Sequence, residues 1–225
     1  MTPSSTSPAS SPECNSEATA GRESDPAMGR LIGFIDHCVD GILVSRENVP
    51  RTEERVLTLE DVRKRLDIPP LYGGARLEDF PEHVRKLAAT SLKDTLIFGP
   101  NGAGKTHLAA AIAFYFGARW CSMWNLLLRV RRTFHAGTAE TELEILTKLS
   151  HPQVLVIDDL LAAQKTDFGM STLLGLLNSR IEQKRVTIVT CDKSLADIDK
   201  IDSSLASRIA GFDRIQLAGP DRRIA

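Results

Sequence analysis

Residues 95–113, TLIFGPNGAGKTHLAAAIA, decide the fold of this chain. A short apolar stretch with β-branched and aromatic residues precedes a glycine-rich turn, and a proline-free run that favours a helix follows it. From Gly99 to Thr106 the turn has the pattern G-x-x-x-x-G-K-[ST]. In this pattern backbone N–H groups and the positive end of a helix surround a phosphate. The stretch therefore predicts a nucleotide-triphosphate site.

The pattern also assigns individual roles. Lys105 is expected to reach the β- and γ-phosphates, and Thr106 to offer its hydroxyl to Mg²⁺. A chance match to four specified residues is the alternative, but the strand, turn and helix context makes it a poor explanation. The residues expected to contact the nucleotide are Gly99, Pro100, Asn101, Gly102, Ala103, Gly104, Lys105, Thr106 and His107.

The composition is that of an ordinary globular protein. With 225 residues, 42% of them hydrophobic and 25% charged, one main domain is expected. A formal net charge of -1 excludes a strongly basic nucleic-acid protein, although local basic patches remain possible. The four cysteines are scattered without a C-x-x-C pair, which predicts reduced thiols and a cytoplasmic location. No apolar run is long enough to span a membrane, and no membrane partner is expected.

The chain divides into three predicted segments. Residues 1–29 are rich in Ser and Pro and should form a disordered tail. Residues 30–57 are predicted to be a small partner-binding segment and linker, with one or two short strands in 31–44. Residues 58–225 are predicted to form the nucleotide-binding domain.

Strand-like and helix-like patterns alternate through this domain. A capping box at Thr58 opens a helix that Ile68-Pro69-Pro70 ends. Further strands are predicted at 118–123, 154–157, 186–190 and 212–217, and helices at 81–89, 124–135, 141–149, 170–183 and 203–210. The alternation predicts an α/β fold with a doubly wound parallel sheet of five strands, flanked by helices, that binds its ligand at the carboxyl ends of the strands.

A second chemical motif follows the buried run Val154–Ile157. Asp158 is expected to hold Mg²⁺, and Asp159 to act as the general base that polarises the attacking water. Alone, an apolar strand ending in two acids is as consistent with a helix cap. A phosphate loop upstream, predicted to lie on a neighbouring strand, favours the functional interpretation.

Taken in order, these motifs resemble the DnaC/DnaI-type helicase-loader ATPases, which form one AAA+ group with the IstB-type transposition helper ATPases. The resemblance covers about residues 66–223. It rests on DIPPLY (67–72) with LEDF (77–80), the phosphate loop, VLVIDDL (154–160), TDF (166–168), LLGLLNSRIEQKRVTIVT (173–190), SSLASRI (203–209) and GPDRR (219–223).

The resemblance implies an AAA+ P-loop fold without a C-terminal lid domain, with ATP and Mg²⁺ as cofactors. Arg208 matches the arginine finger that such ATPases insert into a neighbouring subunit's site. An ordinary helix-surface arginine is the alternative. Arg222 or Arg223 matches a terminal arginine near the nucleotide, with Arg223 our choice.

One departure from the family pattern concerns hydrolysis. Where the family has a Thr-Asn pair whose asparagine orients water, this chain has Thr190-Cys191-Asp192. A carboxylate at Asp192 would be repelled by phosphate unless protonated or turned away. Either hydrolysis is slow, or Thr190 takes over the role.

A second candidate surface is WCSMWNLLLRVRRTFH, residues 120–135. The resemblance places a DNA-contacting helix here, so that Arg129, Arg131 and Arg132 with aromatic neighbours are expected to bind single-stranded DNA. The alternative is a solvated basic face with the tryptophans in the core.

The leading hypothesis is therefore an ATPase, converting ATP and water to ADP and phosphate slowly, that self-associates through its ATP site and helps load a replicative helicase onto single-stranded DNA. Two alternatives stay open. One is a transposition helper ATPase. The short segment before the fold and the RLDIPPLYGG stretch favour a loader over this alternative. The other is an ATP-dependent binding module that scarcely hydrolyses, which Asp192 favours.

Overall fold

A computed structural model describes residues 58–90, 92–135, 137 and 139–219. Its centre is a sheet of five parallel strands in the order β2-β3-β4-β1-β5. The strands are β1 (Thr95–Phe98), β2 (Arg119–Ser122), β3 (Val154–Asp158), β4 (Val186–Cys191) and β5 (Asp213–Gln216). The predicted α/β fold with a five-stranded, doubly wound parallel sheet is confirmed.

Eight α-helices flank the sheet within the described residues. They are α1 (Leu59–Leu66), α2 (Glu82–Thr90), α3 (Lys105–Phe116), α4 (Met123–Arg132), α5 (Glu142–Ser150), α6 (Asp167–Glu182), α7 (Leu195–Ile201) and α8 (Ser203–Ile209). Short 3₁₀ turns cover Pro70–Tyr72, Leu77–Asp79 and Leu160–Lys165. No helical lid follows β5 in the part of the chain that the structure describes.

The core lies in two layers, one on each face of the sheet. One layer packs α1, α2 and α3 against the sheet, and the other packs α4, α5, α6 and α8. Helix α3 is buried continuously from Leu108 to Phe114. Its run of alanines allows this close approach, because small side chains let the helix backbone lie near the strands. The phosphate loop is thus fixed between a buried strand and a buried helix.

Helix α1 begins with the predicted capping box. The Asp61 N–H donates to the Thr58 hydroxyl at 3.2 Å, and the Thr58 N–H donates to the Asp61 carboxylate at 3.0 Å. The helix ends before the prolines that were expected to end it, because Asp67 adopts a left-handed conformation with φ of 61°. Aspartate tolerates this conformation better than most residues.

The remaining differences are local. The predicted elements occur with ends that differ by no more than three residues, and helix α7 and the three 3₁₀ turns of the described residues were missed. We expected strand β3 to neighbour the phosphate-loop strand β1, and this prediction was wrong. Strand β4 pairs with both and lies between them. The predictions for residues 1–29 and 30–57 lie outside the described residues.

Candidate nucleotide site

The phosphate loop connects β1 to α3 as the sequence predicts. The helix starts at Lys105, directly after Gly104, whose left-handed backbone has φ of 94°. The Lys105 ammonium donates hydrogen bonds of 2.9 Å to the carbonyl oxygens of Gly99 and Pro100. The side chain therefore folds back across the loop, over the space that the loop encloses, where a phosphate is expected to bind.

The loop glycines do not all serve the phosphate. At Gly99 the backbone has φ of 147°, and a Cβ atom would lie 2.1 Å from the carbonyl oxygen of Leu217. This glycine is thus required by the segment after β5, whose Leu217 N–H donates to the Phe98 carbonyl at 2.8 Å. Ala103 is buried, so its side chain supports the loop from inside.

The two acids are held by a single threonine. Oγ1 of Thr190 donates to Oδ1 of Asp158 at 2.7 Å and accepts from the backbone N–H of Asp159 at 2.9 Å. Thr190 is the last residue but one of β4, the strand between the acids and the phosphate loop. Asp159 has φ of 58°, a left-handed turn that ends the strand and begins the 3₁₀ segment. One hydroxyl therefore holds the carboxylate of Asp158 and the backbone of Asp159.

The environment of Asp158 fits a metal ligand. Burial raises the pKa of its carboxyl, and hydrogen bonds from Thr190 and Thr106 oppose that rise. The predicted pair of magnesium ligands, Asp158 and Thr106, is thus brought together. A carboxylate and a hydroxyl oxygen are suitable donors for Mg²⁺, which takes its remaining ligands from water and phosphate.

These groups face a cleft of about 900 Å³, within the usual size range of ligand pockets. The residues that sequence reasoning proposed and that line it are Asn101, Gly102, Gly104, Lys105, Thr106, His107, Asp158, Asp159, Thr190 and Asp192. Those it missed are Leu71, Tyr72, Leu161, Ala162, Gln164, Lys165, Cys191 and Lys193. The sequence held two signals for these missed residues. One was the PPLYGG stretch, which was noted only for its resemblance to the family, and the other was the lysine that follows Asp192.

His107 has a partner outside the loop. Its Nε2 lies 2.7 Å from the Asp79 carboxylate, and this contact, with the backbone N–H of Arg76, lowers the pKa of Asp79. The His107 ring also packs against Tyr72 and Phe80, with ring centroids 6.4 and 5.8 Å away. His107 thereby ties the segment before α2 to the first turn of α3.

Asp192 forms an ion pair with its neighbour. The Lys193 ammonium lies 3.4 Å from the Asp192 carboxylate, and both residues line the cleft. Thr190, the other candidate for orienting water, has its hydroxyl engaged by Asp158 and Asp159.

Arg208 lies on α8 and does not line the described cleft of its own chain. Its Nε donates to Oδ1 of Asn178 at 2.6 Å, and its Nη1 to the Ser204 carbonyl at 2.8 Å. These bonds position the guanidinium at the molecular surface between α6 and α8. Arg222 and Arg223 lie outside the described residues.

The exposed face of helix α4 carries both basic and aromatic side chains. Arg131 and Arg132 are exposed, whereas Arg129 binds Glu140, whose second cation, Lys148, lies 2.7 Å away. Of the two tryptophans, Trp120 is buried and Trp124 is 47% exposed. The alternative that placed the tryptophans in the core thus holds for Trp120 alone.

The parallel sheet with a phosphate loop, two acids and a threonine at its carboxyl edge defines a nucleotide-binding protein of the P-loop class. A family model described as IstB-like ATP binding protein matches residues 79–217, more than half of the chain. The chain belongs to this family, and the resemblance to DnaC/IstB-like AAA+ ATPases is confirmed.

Two curated relatives each match about half of this chain. A putative insertion sequence ATP-binding protein of Sinorhizobium fredii is 28% identical over 122 residues, which are 53% of this chain and 41% of that protein. The chromosomal replication initiator protein DnaA of Rickettsia massiliae is 25% identical over 126 residues, 54% of this chain and 27% of DnaA. The matches thus span less than half the length of these curated relatives.

Solved structures share the fold. The DnaC helicase loader superposes with a TM-score of 0.55 at 20% identity, covering 67% of this chain and 100% of that one. DnaI gives 0.54 at 22% identity, covering 69% and 94%. DnaA bound to AMPPCP and single-stranded DNA gives 0.58 at 18% identity, covering 68% and 51%. Separately, no helix among the described residues is long and apolar enough to cross a membrane.

Proposed function

We propose that this protein hydrolyses ATP slowly and, in an ATP-dependent assembly, helps place a replicative helicase on single-stranded DNA. The observation that carries the ATPase part is the convergence of Lys105, Asp158 and Asp159 at one cleft, with Thr190 bonded to the carboxylate of the first acid and to the backbone N–H of the second. Phosphoryl transfer needs mainly positioning and charge stabilisation, and these groups supply both.

The roles of the groups follow from their positions. Lys105 leaves the loop carbonyls to bind the β- and γ-phosphates, while Asp159 accepts a proton from the attacking water. Thr106 and Asp158 would hold Mg²⁺, which would neutralise phosphate charge. Substitution of Asp159 by Asn tests the chemistry: turnover should fall at least about 100-fold with ATP binding kept. Unaltered turnover would reject the role of Asp159.

Arg208 provides the proposed link between subunits. It lies away from the cleft of its own chain, on a surface where Asn178 orients its guanidinium. A neighbouring subunit packed head to tail would receive this arginine near its γ-phosphate, and such packing generates rings or open spirals. Sedimentation with ATP and with ADP tests this step, since a chain that stays monomeric with ATP contradicts it.

The DNA surface that we propose consists of Arg131, Arg132 and Trp124, with Arg129 at its margin. The exposed Trp124 ring offers a stacking surface, and Lys165 lies over it with its ammonium 5.1 Å from the ring centroid. Arg129 would first have to leave Glu140. Binding of single-stranded DNA by Arg131→Ala/Arg132→Ala should weaken with a reduced salt slope. Unchanged affinity and slope would exclude this surface.

A transposition helper ATPase is the second candidate. The insertion-sequence relative supports it, whereas the loader proposal is supported by the near-complete coverage of the DnaC and DnaI chains. Pull-down of the full chain and of a variant lacking residues 1–57, against the host's replicative helicase and against a neighbouring transposase, separates the two. If the chain retains the transposase and not the helicase, the transposition helper function replaces the loader function.

A further inference from the structure

We propose that Lys193 contacts the γ-phosphate of ATP and that Asp192 holds its ammonium at the cleft while the site is empty. The inference rests on the proposed function in one respect, namely that the cleft binds ATP. Through Lys193 the chain distinguishes ATP from ADP, although position 192 carries a charged aspartate.

Lys193 is the cleft lysine whose ammonium is held by neither the loop nor a ring. The lysines lining the described cleft are Lys105, Lys165 and Lys193. Lys105 is bonded to two loop carbonyls, and Lys165 lies over Trp124. The ammonium of Lys193 has the Asp192 carboxylate as its ion-pair partner among the described residues.

The sheet places Lys193 beside the terminal phosphate. Cys191, the last residue of β4, pairs in register with Phe98, the last residue before the phosphate loop. On the other side of β4, Val189 pairs with Ile157, just before the two acids. Lys193 follows Cys191 by two residues and its N–H donates to the Cys191 sulfur at 3.3 Å. It therefore emerges between the loop and the acids, where the γ-phosphate must lie for attack.

The electrostatics favour an exchange of partners. The Lys193 and Asp192 side chains are 49% and 39% exposed, and so open an ion pair holds its partners weakly. The γ-phosphate carries more negative charge than a single carboxylate and offers an ammonium three acceptor oxygens. On ATP binding Lys193 moves from Asp192 to the γ-phosphate, whereas ADP leaves the pair intact.

Titration calorimetry of the full chain with ATP and with ADP tests the assignment. Lys193→Ala should weaken ATP binding about tenfold or more, and ADP binding by less than about twofold. Asp192→Asn should strengthen ATP binding several-fold, because a carboxylate is removed from beside the phosphate. Lys193→Arg should keep the preference for ATP.

One variant serves as a control. Lys200→Ala removes an exposed helix lysine that pairs with Asp197 away from the cleft. It should keep the wild-type ratio of ATP to ADP affinity. An unchanged ratio in Lys193→Ala, or an equal loss for both nucleotides, would overturn the inference. Failure of the wild-type chain to bind ATP would instead reject the proposed function.

Discussion

The Thr190 hydroxyl donates a hydrogen bond of 2.7 Å to the Asp158 carboxylate. The same oxygen accepts from the Asp159 N–H, so one side chain on β4 holds the carboxylate of Asp158 and the backbone that carries Asp159. Neither acid is on a strand adjacent to the phosphate loop, because β4 intervenes. Thr190 thus positions the Asp158 side chain and the Asp159 backbone relative to the central strand β4.

Replacement of Thr190 by Val should therefore reduce hydrolysis more than binding. Loss of a residue that orients a metal ligand typically costs about 10- to 100-fold in activity. Thr190→Ser keeps the hydroxyl and should retain most of the turnover. Steady-state ATPase assays, together with nucleotide binding measured without Mg²⁺, separate the two effects. Equal turnover of the Val and wild-type proteins would show that the hydroxyl does not position the acids.

Asp158 should contribute unfavourably to stability at neutral pH. Burial raises its pKa, so the folded chain binds this proton more tightly than the unfolded chain does. Its contribution to stability is therefore greatest at acidic pH and is lost as pH rises through the folded pKa. Asp158→Asn should stabilise the chain by about 1 kcal/mol at pH 7.

This gain should vanish when pH falls below the ordinary range of aspartate. Thermal unfolding of both proteins from about pH 3 to about pH 8 measures it. Burial also raises the pKa of Asp94, so the informative quantity is the difference between the proteins. A constant difference over the whole range would contradict the assignment.

Gly99 should be intolerant of any side chain. An added Cβ would lie 2.1 Å from the Leu217 carbonyl, at a backbone φ of 147°. Gly99→Ala is expected to cost about 3 kcal/mol or more. Gly175, within α6, has open space around its Cα, so Gly175→Ala should stabilise by about 0.5–1 kcal/mol. Urea unfolding compares the two, and equal stabilities would refute the role of Leu217.

Arg180 should be the arginine on which folding depends most. It is fully buried, and its guanidinium donates to the Val186 carbonyl at 2.5 Å and to the Thr187 hydroxyl at 3.0 Å. It also donates to the carbonyls of Leu149, Ser150 and Pro152. Arg180→Met leaves these acceptors buried without a donor and should cost about 3 kcal/mol or more.

The exposed Arg131 provides the matched control. Arg131→Met should change the free energy of unfolding by less than about 0.5 kcal/mol, because its donors are exposed. Similar losses for the two variants in urea unfolding would mean that the Arg180 acceptors find other donors.

The sequence predicted the strands and helices well, because the patterns that specify them lie in neighbouring residues. Alternating apolar runs and helical patterns specify the elements, and the phosphate-loop pattern carries its own strand and helix. Strand order is not local, and the insertion of β4 between β1 and β3 was missed for that reason. The left-handed turn at Asp159 and the short 3₁₀ segment after it leave no periodic pattern either.

The site was predictable where chemistry lies in consecutive residues. Lys105, Thr106, Asp158 and Asp159 belong to such motifs, and the structure brings them to one cleft. The double hydrogen bond of Thr190 joins residues more than thirty positions apart in sequence, which no spacing rule reveals. Similarly, the use of Gly99 by Leu217 and of His107 by Asp79 required the packed chain.

The most direct test of a shared ATP site is the turnover of an equimolar mixture of Asp159→Asn and Arg208→Ala. Each variant alone should be nearly inactive. In the mixture, an Arg208→Ala subunit keeps its acids and receives Arg208 from an Asp159→Asn neighbour, so about a quarter of wild-type turnover should return. A mixture no more active than the separate variants would contradict completion of the site by a neighbouring subunit.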